Sequence, residues 1–203
     1  MKATNKLDFW KTLVHPHSLL AFEEIVEQHP VLIKVSASRK SKYGDFRAFP
    51  GDRKDTISVN GNLNESSFML TLIHELAHKL TWDEFKRSVD PHGREWKNNM
   101  QKLLEVFLEL EVFPGNLSAA IKRHIHDWKA VSIRMKEVYE VLMVLEGKEL
   151  VSLDELAFNA TFQTEDGKRF VKGEVLRKYV ICTSLENKRQ YKVHKHLLVE
   201  VIN

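Results

Sequence analysis

Residues 74–78 read His74-Glu75-Leu76-Ala77-His78, two histidines four apart with a glutamate directly after the first. On an α-helix, positions i and i+4 stack on one face, so the two imidazoles can share one metal ion. Glu75 lies about a third of a turn round from His74, where its carboxylate reaches a metal-held water instead of the metal. Zinc lowers the pKa of such a water to about 7, and Glu75 can take its proton and later pass it to a leaving amine. This is peptidase chemistry. In a chain of this composition the bare spacing would arise by chance roughly 0.05 times.

Two protein ligands are too few, because catalytic zinc ordinarily takes three and keeps one position open. The arrangement HExxHxxGxxH fails, since Thr81 and Glu84 stand where its glycine and third histidine would be. The third ligand must therefore lie downstream. His92 follows His78 by fourteen residues and precedes Gly93, which eases a tight return of the chain. Glu84, Asp90 and Glu95 are the alternatives.

A helix has to carry the motif. Asn64 is a good N-cap, Glu65 suits the first turn, and Met69, Ile73, Leu76 and Leu80 recur at helical spacing. The spacing predicts a helix over 65–82, with Ser67, Thr71, His74, His78 and Thr81 forming a polar stripe that faces a cleft or solvent. Upstream, 18–28 reads as a helix opened by Ser18. The β-branched run VLIKVSAS and the segments YGDFRAF and DTISVNG that follow it read as a small three-stranded antiparallel sheet, turned at Pro50-Gly51-Asp52. Helices are expected over 93–111 and 117–146, the second with a break near Ser132. From Leu153 the pattern becomes strand-like, with a hairpin turn at Asp166-Gly167. The expected fold class is α+β, divided into residues 1–150 and a small β part over 151–203.

The chain has 203 residues, of which 43% are hydrophobic and 29% charged, ordinary globular composition. The longest uninterrupted apolar run, Val141 to Leu145, is far too short for a membrane span, and the N-terminus lacks a signal-peptide core. The single cysteine, Cys182, excludes an internal disulfide and a four-cysteine metal site. A soluble, cytoplasmic protein is the expectation, nucleoid-associated if DNA is its partner. Net charge is only +3, but it is unevenly placed. Residues 34–54 hold Lys34, Arg39, Lys40, Lys42, Arg47, Arg53 and Lys54 against Asp45 and Asp52. Residues 167–196 hold nine cations against Glu174 and Glu186. Two basic stretches suit a polyanion.

The run from Asn60 through HELAH to His92-Gly93-Arg94-Glu95-Trp96 resembles the SprT-like zinc metalloprotease family, the family of the Spartan-related proteases. The basic segment SRKSKYGDFR is similar to the family's strand-turn segment. The likeness is good over about 30–113 and looser after 155. It implies a minimal zincin fold, one Zn2+ held by His74, His78 and His92, Glu75 as the catalytic acid/base, and proteolysis of proteins bound or crosslinked to DNA. The cysteine-ligated zinc ribbon that many members carry cannot be built from Cys182 alone. The basic β segment, with Arg177, Lys178, Arg189 and Lys192 interleaved with aromatics, is the candidate to replace it, alongside Arg39, Lys40, Lys42 and Arg47. Two other readings stand beside this one: a DNA-associated protein with a mainly structural zinc site, and a zinc peptidase indifferent to DNA.

Overall fold

The structure is a computed structural model that describes residues 8–39, 42–128, 135–148, 150–164 and 167–202. It is an α+β chain that divides after Leu142 into two compact units.

The first unit opens with a short 3-10 turn, Phe9–Thr12, that buries Trp10. Helix α1 (Leu19–Gln28) follows, and its Phe22 packs edge-on against Trp10 and at 4.3 Å between ring centres against Phe107. Strands β1 (Val31–Ser36), β2 (Gly44–Arg47) and β3 (Asp55–Asn60) form a sheet in the order β1-β3-β2. The sheet is mixed, which corrects the expected antiparallel arrangement. β2 and β3 make an antiparallel hairpin, but β1 runs parallel to β3, with Val31 opposite Asp55 and Ser36 opposite Asn60. After β1 the chain crosses to the far side of β3 before turning back. That crossing is held by Arg39 and Asn60. Asn60 Oδ1 accepts from Arg39 Nε at 2.8 Å, and its Nδ2 donates to the carbonyls of Arg39 and Lys42. The Arg39 guanidinium also reaches Ser58 Oγ at 3.0 Å.

Helix α2 (Glu65–Phe85) is capped as expected, Asn64 Oδ1 accepting from the Ser67 N–H at 2.8 Å. Phe68, Met69, Leu72, Ile73, Leu76 and Ala77 are all fully buried, so the helix is enclosed by the sheet and by α3 (Arg94–Glu109). The polar stripe does not behave as a single surface. Ser67 and Thr81 are buried, and Thr81 Oγ1 accepts from Asn99 Nδ2 on α3, because α3 covers that side of the helix. Trp96, Met100, Leu103, Leu104 and Phe107 form the buried stripe of α3. The pattern of 117–146 resolves into α4 (Gly115–His124), a 3-10 turn at Ile125–Asp127, and α5 (Lys136–Leu145). The expected break at Ser132 lies outside the described residues.

In the second unit, β4 (Leu150–Ser152), β5 (Thr161–Gln163), β6 (Arg169–Val175), β7 (Tyr179–Ser184), β8 (Gln190–His194) and β9 (Leu198–Val201) form an antiparallel sheet ordered β4-β9-β5-β6-β7-β8. Leu153, Phe162, Phe170, Val180, Cys182 and Val199 make its core. β6 runs on through Gly173 to Val175. A register shift between Lys172 and Val175 accommodates Gly173, where a Cβ would lie 2.6 Å from the Ile181 carbonyl oxygen. Of the expected turn at Asp166-Gly167, Asp166 is outside the described residues, and Gly167 has the positive φ of 77° that favours glycine. Lys172 is buried, with Nζ donating to the carbonyls of Asp154 and Leu156.

Candidate metal centre

His74 and His78 project from the middle of α2, one turn apart, and their Nε2 atoms are 3.2 Å apart. His92 is delivered by the turn before α3. The Gly93 N–H bonds to the Asp90 carbonyl at 3.0 Å, and a Cβ on Gly93 would crowd that oxygen at 3.2 Å and Glu95 Oε2 at 3.3 Å. This close turn places His92 Nε2 at 3.4 Å from His74 Nε2. One nitrogen from each of the three rings lies within 4.8 Å of the others, the one group of this kind among the described residues. Glu84, Asp90 and Glu95, the alternative third ligands, do not join it.

Trp96, four residues beyond His92, forms the floor. Its ring centre lies 4.8 Å from that of His74, 5.4 Å from His78 and 4.8 Å from His92. Trp96 is fully buried, and its indole Nε1–H has no hydrogen-bond partner among the described residues. Burial and the neighbouring imidazoles push the His74 pKa down to about 3. The same causes lower His78 to about 4, and burial lowers His92. All three rings are therefore neutral at pH 7, the form that donates a nitrogen lone pair to a metal.

Glu75 is only 7% exposed and lies against the edge strand β2. Burial, reinforced by the Asp45 carboxylate, raises its pKa to about 8, against which the Phe46 backbone N–H donates to it. Contact with β2 is close enough to require glycine. A Cβ on Gly44 would lie 2.5 Å from Glu75 Oε1 and 2.7 Å from Thr71 Cγ2. Behind the helix, Lys79 is buried and bridges Asp55 Oδ2 at 2.9 Å and Asp83 Oδ1 at 2.7 Å, while His29 Nδ1 meets Asp83 Oδ2 at 2.8 Å. This network pins α2 to β3 and to the end of α1. The motif looks out on a cleft of about 610 Å³, walled by Gly44, Asp45 and Phe46 on β2 and by Trp82, Lys86 and Arg87 along α2 and its end.

The expected nucleic-acid residues do not converge on one place. The Arg39 guanidinium is used on the β1–β2 crossing, and Lys40 lies outside the described residues. Lys42 Nζ and Arg47 Nε both bond to Asp45, at 2.7 and 2.6 Å. In the second unit, Arg177 and Lys178 sit at the β6–β7 turn, Lys192 is mid-strand on β8 and Arg189 is at the opposite turn, all exposed. They are spread from one end of the β7–β8 pair to the other. Gly44, Phe46, Lys79 and Trp82 were not singled out from sequence. A glycine inside a strand-like, aromatic segment was the one available signal.

Comparison with known proteins finds relatives among the SprT proteins. A 44-residue stretch is 48% identical to Protein SprT of Cronobacter sakazakii, covering 21% of this chain and 26% of that protein. A 57-residue stretch is 44% identical to Protein SprT of Klebsiella pneumoniae, covering 26% of this chain and 34% of that one. The matches thus span between a quarter and about a third of those relatives' lengths. No solved structure matches. The model of the SprT-like family matches residues 13–123, more than half of the 203. With its helix-borne histidine pair, returning third histidine and buried glutamate, the chain belongs to the SprT-like family, whose fold is of metallopeptidase type.

Proposed function

We propose that this protein is a zinc-dependent endopeptidase whose substrates are proteins held at, or crosslinked to, DNA. The observation that carries the peptidase reading is the convergence of three neutral imidazoles beside a buried carboxylate, in an open cleft. The donor set fits zinc. Two nitrogens bound at about 2.05 Å with tetrahedral geometry lie about 3.4 Å apart, and the Nε2 separations here are 3.2 and 3.4 Å. A cation at the point the three rings face would accept a lone pair from each of their three nitrogens.

His74, His78 and His92 would hold the ion. When bound, zinc supplies Lewis acidity, lowering the pKa of water to about 7 and polarising a peptide carbonyl. Glu75 provides the proton-carrying group: its carboxylate is oriented by the Phe46 N–H and by contact with Gly44. In the metal-free chain it holds a proton up to about pH 8. A dication facing it favours the ionised form, able to accept a proton from water and return it to the leaving amine. Trp96 packs against the histidines, and β2 walls the cleft beside Glu75.

The DNA part of the proposal rests on membership of the family and on the exposed cations Arg177, Lys178, Arg189 and Lys192. The competing reading, a peptidase indifferent to DNA, is favoured by the engagement of Arg39, Lys42 and Arg47 within the protein. One experiment addresses both. The zinc-loaded protein and Glu75→Gln are assayed on a DNA-bound protein and on casein, with and without single-stranded DNA. Glu75→Gln should keep one zinc per chain and lose cleavage; retained cleavage would refute the mechanism. Acceleration by DNA that fades with rising salt supports the DNA reading, and cleavage unaffected by DNA supports its rival.

A further inference from the structure

The metal-facing side of α2 does not end at His78. Trp82 lies one turn further along that face and Lys86 one turn beyond it, both lining the same cleft, with Arg87 beside Lys86. The two cations gather on the indole: Lys86 Nζ is 5.7 Å and Arg87 Cζ 6.0 Å from the Trp82 ring. Among the described residues neither meets a carboxylate. Asp45, on the β2 wall, is by contrast already held between Lys42 and Arg47.

Lys86 also occupies a backbone conformation that L residues avoid. It ends α2 at φ 53° and ψ −120°, with its N–H bonded to the Trp82 carbonyl at 2.9 Å. Glycine is the residue that takes this geometry without strain. At this helix end a lysine, not a glycine, takes the strained conformation, and its side chain lies on a cleft-lining tryptophan.

We propose that Trp82, Lys86 and Arg87 form a cationic subsite that receives an acidic side chain of the polypeptide substrate. The proposal rests on the endopeptidase reading and adds to it the chemistry of the substrate. Four helical residues advance about 6 Å, so Trp82 and Lys86 stand about 6 and 12 Å beyond His78 along the axis. An extended chain advances about 3.3 Å per residue. The favoured Asp or Glu therefore falls roughly two to four residues from the cleaved bond. Trp82 serves as the apolar base of the subsite, and the two cations supply its charge selectivity.

The test compares two fluorogenic peptides that differ only by Glu or Gln at those positions, with the zinc-loaded wild type and with Lys86→Gly, Arg87→Ala and the double variant. Wild type should prefer Glu by about three- to tenfold, as two partly exposed ion pairs allow. The double variant should bring the ratio close to one, as should 0.5 M salt. Lys86→Gly should raise Tm by a few degrees, separating loss of the subsite from loss of the fold. Equal cleavage of both peptides by wild type overturns the subsite while leaving the peptidase reading intact. If neither peptide is cleaved, the peptidase reading fails. Fluorescence anisotropy of the labelled Glu and Gln peptides then decides the subsite: Glu-selective binding lost in the double variant supports it, and equal binding overturns it. A double variant that loses affinity for labelled oligo-dT but keeps its Glu preference also overturns it, in favour of a nucleic-acid contact.

Discussion

Replacing Gly44 by alanine probes the contact between the edge strand and the proposed catalytic carboxylate. Gly44 does not have a positive φ, so its backbone suits any L residue and sterics alone decide the outcome. The added methyl would lie 2.5 Å from Glu75 Oε1, 2.7 Å from Thr71 Cγ2 and 2.8 Å from Glu75 Cγ. Ordinary contact begins near 3.4 Å, so the carboxylate, or β2 itself, must retreat by about 0.9 Å. Overpacking of this kind costs about 1–3 kcal/mol. Replacing glycine returns about 0.4–1 kcal/mol by restricting the unfolded chain. The net loss is about 1–2 kcal/mol, a fall in Tm of about 2–8 °C. Activity should suffer more than stability, because misplacing a reacting group by about 1 Å costs about a hundredfold. The assay is kcat and KM for a cleavable peptide beside zinc content and Tm. The expected result is full zinc content, kcat lowered about a hundredfold and KM little changed. Wild-type kcat in Gly44→Ala would refute the view that this contact positions Glu75.

Burial of Glu75 also makes a prediction that needs no substrate. Its folded-state pKa of about 8 exceeds the ordinary 4.5, so the metal-free folded chain retains a proton that the unfolded chain releases between those values. Stability contributed by this group is therefore present below pH 4.5 and is lost as pH rises towards 8. Glu75→Gln, which imitates the protonated form, should stabilise the metal-free protein more at pH 8 than at pH 5 in urea titrations. Lys79→Met should destabilise the first unit by about 3 kcal/mol, because it strands Asp55 and Asp83 without their cation. Thermal unfolding with zinc present checks this. Lys172→Ala should cost the second unit about 2 kcal/mol by leaving the carbonyls of Asp154 and Leu156 without a donor, seen as a lower unfolding midpoint.

The elements governed by local chemistry were readable from the residue order. Asn64 starts α2 because its side chain bonds the Ser67 N–H, a contact made within one turn. The i, i+4 histidines needed only a helix beneath them. The β-branched segments became strands for the same local reason, and the family resemblance supplied His92 where spacing alone left Glu84, Asp90 and Glu95 open. Sheet order was a different matter. β1 and β3 attract the same apolar partners in either direction, and the parallel pairing depends on Arg39 and Asn60 holding the crossing between β1 and β2.

Charged residues show the division most clearly. Arg39, Lys42 and Arg47 look alike as a basic run, and nothing in their order reveals that Asn60 and Asp45 engage them. Lys79 follows His78 as an unremarkable polar residue, yet Asp55 and Asp83 enclose it behind the motif. By itself the sequence determined the kind of chemistry on offer, since a histidine pair able to share a metal and an adjacent carboxylate depend on helical spacing alone. The tertiary structure decided the rest: how the turn before α3 returns His92 to the histidine pair, how Gly44 presses β2 against Glu75, and which cations of the cleft meet no carboxylate among the described residues. Each of these depends on distances between segments far apart in the chain, and only packing brings such segments together.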